Sequence, residues 1–106
     1  MAVTPGRRLL APGRAARLSE PPLLRWTRVR GAAFYNVQLF RDGQKIRSSW
    51  PQGPQLRLKR SWRYMGRRHR LTPGRYAWYV WPAHGSRAHP SFDALIGRRT
   101  FVILGT

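Results

Sequence analysis

The 106-residue sequence contains no cysteine, which excludes a disulfide framework and any cysteine-ligated zinc site. It has only three acidic residues, Glu20, Asp42 and Asp93, each in a separate stretch. Paired carboxylates for acid–base hydrolysis are hard to assemble from so few. No run of 18 apolar residues occurs, so nothing reads as a transmembrane helix. There is no glycine-rich phosphate loop leading into a helix, and no serine sits in a nucleophile-elbow context. His84, His89 and Asp93 share one stretch, but their spacing matches no standard metal site. The expectation is a chain with no catalytic residues, no bound metal and no cofactor. The N-terminus also lacks the apolar core of a signal peptide, because Arg7, Arg8, Arg14 and Arg17 interrupt every apolar stretch. Residues 1–17, rich in Pro, Gly, Ala and Arg, read as a flexible basic arm or linker before a domain at 18–106.

Arginine is what the chain has in excess. All but two of its 21 basic residues are Arg, Lys45 and Lys59 being the exceptions, and the formal net charge is +18. Most guanidinium groups therefore lack an internal carboxylate partner. Such a surface attracts polyanions, whether nucleic acid or an acidic cell-surface polymer. A second reading stands beside this one: drift towards arginine codons in a GC-rich genome, with the charge serving solubility. The densest stretch holds Arg60, Arg63, Arg67, Arg68 and Arg70, with Trp62 and Tyr64 interleaved. It is the candidate polyanion-binding segment. Its aromatics equally suit plugging one end of the fold.

From Pro21 onward the pattern is short strands and turns. Nine prolines and ten glycines punctuate the chain, and no clean helical stripe of apolar residues is present. Strands are expected at Leu23–Trp26, Phe34–Phe40, Lys45–Trp50, Gln55–Lys59, Arg75–Trp81 and Thr100–Leu104. Asp42–Gly43 is a hairpin signal. Arg60–Arg70 reads as a basic connection and Pro82–Gly97 as a 16-residue loop. Alternation puts Leu24, Trp26, Tyr35, Val37, Leu39, Leu56, Leu58, Tyr76, Trp78, Val80, Phe101 and Ile103 in the core.

The order of motifs carries a resemblance. Pro22-x-Leu24-x-Trp26 precedes Gly31-Ala32 and Tyr35-x-Val37-x-Leu39. Then come Leu71-x-Pro73-Gly74-x-Tyr76-x-Trp78-x-Val80 and a closing Thr100-Phe101. This resembles the fibronectin type III-like domains of bacterial secreted and surface proteins, over about residues 18–104. The resemblance implies an all-β, immunoglobulin-like antiparallel β-sandwich of about seven strands. It implies that Trp26 packs in the core and that Leu71 precedes a tyrosine corner at Tyr76. It also implies a non-enzymatic spacer or interaction module, outside the cell or in its envelope, with another domain or protein as partner. A small basic nucleic-acid-binding protein, cytoplasmic in location, is the alternative. A carbohydrate-binding accessory domain is a lesser one. No Arg-Gly-Asp tripeptide occurs.

Strand parity defines a second candidate surface. With Tyr35, Val37 and Leu39 inward, Phe34 and Phe40 point outward, with Asn36 and Gln38 between them. With Tyr76, Trp78 and Val80 inward, Tyr79 and Trp81 point outward. Phe34, Phe40, Tyr79 and Trp81 then form an aromatic face for a partner, unless a loop or neighbouring domain covers it. On the opposite sheet, Arg25, Arg57 and Lys59 point outward and, with Arg17, are expected to form a basic face.

Overall fold

The computed structural model describes residues 7–105, and among them there is no helix. Eleven strands run in chain order: β1 (Leu9–Ala11), β2 (Ala16–Leu18), β3 (Leu23–Trp26), β4 (Phe34–Arg41), β5 (Gln44–Ser49), β6 (Gln55–Arg57), β7 (Ser61–Tyr64), β8 (Arg67–Arg70), β9 (Gly74–Gly85), β10 (Pro90–Phe92) and β11 (Gly97–Ile103). A larger sheet has the order β2-β11-β9-β4-β5, with β10 added on β9. A smaller sheet has the order β1-β3-β6, and β7 and β8 form a separate hairpin. The arrangement is all-β and sandwich-like.

The core lies where alternation places it. Leu24 and Trp26 of β3 meet Tyr35, Val37 and Leu39 of β4, Tyr76, Trp78 and Val80 of β9, and Phe101 and Ile103 of β11. Trp26 meets Tyr35 edge-on at 5.4 Å and Trp78 at 6.4 Å between ring centroids. Leu58 is buried as expected, whereas Leu56 and Leu71 are half-buried and pack against the cluster from its margin. The core also takes in Leu9, Val29 and Ile96, which lie in segments without an alternating pattern.

Tyr76 fixes the corner before β9. Its hydroxyl donates to the Thr72 carbonyl at 2.7 Å and accepts from the Thr72 N–H at 2.9 Å. Arg41 clamps the same turn, donating to the Tyr76 hydroxyl at 2.7 Å, to Thr72 and to the Pro73 carbonyl. Its guanidinium passes so close to Gly74 that a Cβ there would stand 2.5 Å from Nη2. It is the φ of +142° that calls for glycine at position 74, since the guanidinium end of Arg41 could swing aside.

Three segments depart from the sequence expectation. The described part of the expected arm is built into both sheets. β1 pairs with β3, β2 runs parallel to β11, and Leu9 is buried against Gly97, where a Cβ would leave only 3.1 Å. Residues 1–6 of that arm lie outside the described residues. The expected connection Arg60–Arg70 is the β7–β8 hairpin. The expected loop Pro82–Gly97 instead continues β9 to Gly85 and returns through β10. Pro and Gly signalled a break in the first and third segments and dense charge a connection in the second, and cross-strand pairing bridges all three. These strands take the count to eleven.

Candidate anion-binding and aromatic surfaces

The β7–β8 hairpin turns on Met65 and Gly66, both at positive φ, with Tyr64 and Arg67 paired across the turn. Trp62 pairs with His69, and the two rings stack at 6.0 Å. The Trp62 indole N–H donates to the Ile46 carbonyl at 2.7 Å. Ile46 sits where the β4–β5 register shifts between Leu39 and Phe40. That irregularity frees a carbonyl from the ladder, and the indole takes it up. Trp62 thus fastens the hairpin to the body of the fold, with the Arg47 guanidinium 5.9 Å from its ring. Burial pushes the Arg47 guanidinium below its ordinary pKa.

Period-two alternation turns the other side of the hairpin to solvent. Arg63 lies directly opposite Arg68, and Arg70 lies opposite Ser61 on the same side. Arg60, Arg63, Arg67, Arg68 and Arg70 are all exposed. Asp42 lines one hollow together with Arg67, Arg68 and Arg70, and Glu20 lies 3.9 Å from Arg60, with both side chains more than two-thirds exposed. Such a pair contributes little. Like charges directly opposed on neighbouring strands repel, so this side of the hairpin is destabilised until an anion screens it. Trp62 and Tyr64, interleaved in sequence, alternate to the other side, and Trp62 is committed to packing.

The second surface is the outer face of the larger sheet. β4 and β9 are neighbours, with Asn36 opposite Trp81 and Gln38 opposite Tyr79. Tyr79 stacks on Trp81 at 5.8 Å and meets Phe40 edge-on at 5.2 Å. Arg98 of β11, opposite Tyr79, donates its Nε–H to the Tyr79 hydroxyl at 3.1 Å. Phe34 does not belong to the open surface. It points to this side but is only 4% exposed. Phe92 of β10 covers it edge-on, and the Arg87 guanidinium lies 4.7 Å over its ring. Arg87 is held there by donating to the Trp50 carbonyl at 2.8 Å. The aromatic face available to a ligand is therefore Phe40, Tyr79 and Trp81, joined by Phe92, which sequence reasoning missed. Phe92 had no strand signal, and only β10 pairing brings it beside Phe34.

A polar row runs beside the rings. Asn36 is buried, and its amide N–H groups donate to the Ser48 hydroxyl at 3.0 Å and the Ser49 carbonyl at 3.1 Å. Its carbonyl accepts from the Gln38 amide at 2.7 Å.

The expected basic face of the smaller sheet is reduced to Arg25 and Arg57 on its strands, with Lys59 exposed just beyond. Arg17 is not part of it, because β2 pairs with β11 in the larger sheet. The structure brings His84 to within 3.9 Å of Asp93, whose carboxylate is held below its ordinary pKa. The Ala94 N–H and then the Arg7 guanidinium cause that shift. Among the described residues, no three His, Cys, Asp or Glu side chains are grouped to hold a metal.

No family model matches this chain, and no curated protein or solved structure is significantly similar to it.

Proposed function

We propose that this chain is a non-catalytic, fibronectin type III-like interaction module of an extracellular or cell-envelope protein, which grips an anionic polymer through the β7–β8 hairpin. The single observation that carries the binding part is the exposed row of Arg63, Arg68 and Arg70, with Arg63 directly opposite Arg68 and no carboxylate on either strand of the hairpin. A phosphate or carboxylate chain would relieve that repulsion and accept paired guanidinium bonds. Because Trp62 is spent on Ile46 and His69, the hairpin offers charge without a base-stacking platform. That favours an acidic cell-surface polymer over a single-stranded nucleic acid, and duplex DNA, gripped through its phosphates alone, is the competitor to test.

The fibronectin type III part is supported by three features in order: Trp26 at the core centre, the Tyr76 hydroxyl bonded back to Thr72, and alternation through Trp78 and Val80. The location outside the cell follows from that resemblance.

The test is binding to a heparin oligosaccharide and to a duplex DNA of equal charge over a range of salt. The triple variant Arg63→Gln, Arg68→Gln, Arg70→Gln should flatten the log–log salt slope on duplex DNA by roughly 2–3 units. An unchanged slope would show that the contact lies elsewhere. A clear preference for DNA at matched salt would favour the nucleic-acid-binding alternative.

A further inference from the structure

We infer that the outer face of the larger sheet is a separate binding site, shaped for the sugar rings of an anionic polysaccharide. The inference rests on the polyanion-binding reading above and adds to it a site that recognises rings rather than charge alone.

Two hollows adjoin on this face. One, of about 280 Å³, is lined by Asn36, Gln38, Trp81 and Phe92. The other, of about 360 Å³, has Phe40, Tyr79, Arg75 and Arg98 among its lining residues. Stacked Tyr79 and Trp81, one in each lining, place the two side by side. A polymer crossing the sheet therefore meets an apolar and amide-bearing subsite, then a cationic one.

The first subsite is organised before any ligand arrives. Asn36 is fixed by Ser48 and Ser49, and it fixes Gln38 in turn. With its Nε2 committed to Asn36, the Gln38 carbonyl oxygen is left to accept from a ligand hydroxyl. The Ser48 hydroxyl accepts from Asn36, so its own hydrogen is left to donate. The acceptor lines the hollow with Trp81, and the donor lies one strand farther out, opposite Gln38 on β5. A pyranose has the matching two-sided character: a face of C–H groups for the indole and a rim of hydroxyls for the polar row. A nucleobase carries its polar atoms on its edge and gains most from a ring on each face. Here one rigid ring comes from the central strand β9, and the other from Phe92, half-exposed on the three-residue strand β10.

Charge complementarity selects an anionic sugar. Arg75 and Arg98 both line the second hollow, against the single carboxylate of Asp42. Arg98 is oriented by its Nε bond to Tyr79, which leaves its terminal nitrogens for a carboxylate. A uronate chain supplies both halves of this pattern in each repeat.

The test uses the whole chain and three probes: a uronate hexasaccharide, the same hexasaccharide carboxyl-reduced to a neutral form, and a hexathymidylate. Nuclear magnetic resonance reads the Trp81 indole and Gln38 side-chain amide signals separately from those of the hairpin. The uronate should shift both signals in the wild type. Its affinity should fall about tenfold or more in Trp81→Ala and severalfold in Gln38→Leu. At 0.3 M salt, screening should hold the triple hairpin variant within about twofold of wild type for the uronate. Shifts confined to the hairpin would overturn this site while leaving the polyanion reading intact. Equal binding of the neutral hexasaccharide would overturn the role given to Arg75 and Arg98. Tighter binding of hexathymidylate at Trp81 would replace the sugar with a nucleobase, and no shift with any probe would end both readings. The wild-type signals decide the matter even if a variant fails to fold.

Discussion

Two hairpins in this molecule share one turn geometry and serve opposite ends. β4 and β5 meet at Asp42–Gly43, and β7 and β8 meet at Met65–Gly66, with all four turn residues at positive φ. The first belongs to the core. β4 buries Tyr35, Val37 and Leu39 and is paired with β9 along its whole length. The second has no buried apolar residue of its own, and Trp62 at its margin ties it to the rest. Its outer side carries directly opposed arginines, where β5 carries the single Arg47 among glutamine, lysine, isoleucine and serine. A turn type sets register, but what the strands bury decides whether the hairpin stabilises the fold or is carried by it.

The sharpest way to break this contrast is to remove one tryptophan from each region. Trp78 is completely buried, so Trp78→Ala should cost ~3–5 kcal/mol, read as a lower urea midpoint for the whole domain. A loss below about 1 kcal/mol would show that the β4–β9 core is not where the stability resides. Trp62→Ala should cost less, ~1–3 kcal/mol, because the ring is half-buried. Hydrogen exchange should rise in β7 and β8 well before it rises in β4 and β9. Uniform loss of protection would mean that the two hairpins form one cooperative unit.

The Tyr76 corner sharpens the comparison at the joint between the regions, since Arg41 ends β4 and Thr72 follows β8. Tyr76→Phe removes one hydroxyl that donates to Thr72 and accepts from Arg41 and the Thr72 N–H. We expect a cost of ~1–2 kcal/mol by chemical denaturation, with the strand content unchanged by circular dichroism.

The smallest effect concerns Asp93, at the opposite end of β4 and β9 from the Asp42–Gly43 turn. Its folded pKa lies below the ordinary 3.8. Its stabilising contribution is therefore fully present above the unfolded value and is lost as pH falls through the folded one. Asp93→Asn should be slightly less stable than wild type at pH 6 and equal to it in strong acid. The carboxylate titration itself should have a midpoint below that of a free aspartate. A midpoint above it would remove the Ala94 and Arg7 contacts from the account.

How much was legible in the sequence follows the same division. Where apolar residues alternate over four or more positions, as in Tyr35-x-Val37-x-Leu39 and Tyr76-x-Trp78-x-Val80, the buried face could be read directly. Period two leaves one choice of side, and the side with the larger apolar set goes inward. Asp42–Gly43 was readable because Asp and Gly both tolerate positive φ. Met65–Gly66 was not, since methionine carries no such signal. The candidate arginines were readable as a cluster in sequence, but their division between two sides of a hairpin was not.

The sequence by itself therefore determined the all-β character, the inward face of the long strands and the excess of unpaired arginine. These depend on residue type and near-neighbour spacing alone. Tertiary structure decided the rest. Only packing showed that Phe34 lies beneath Phe92 and Arg87, that Leu9 fills the space above Gly97, and that Arg17 stands on the other sheet from Arg25. Each joins residues far apart in the chain, and no local pattern records such a meeting. Their burial follows from which strands pair, and pairing is a property of the whole fold.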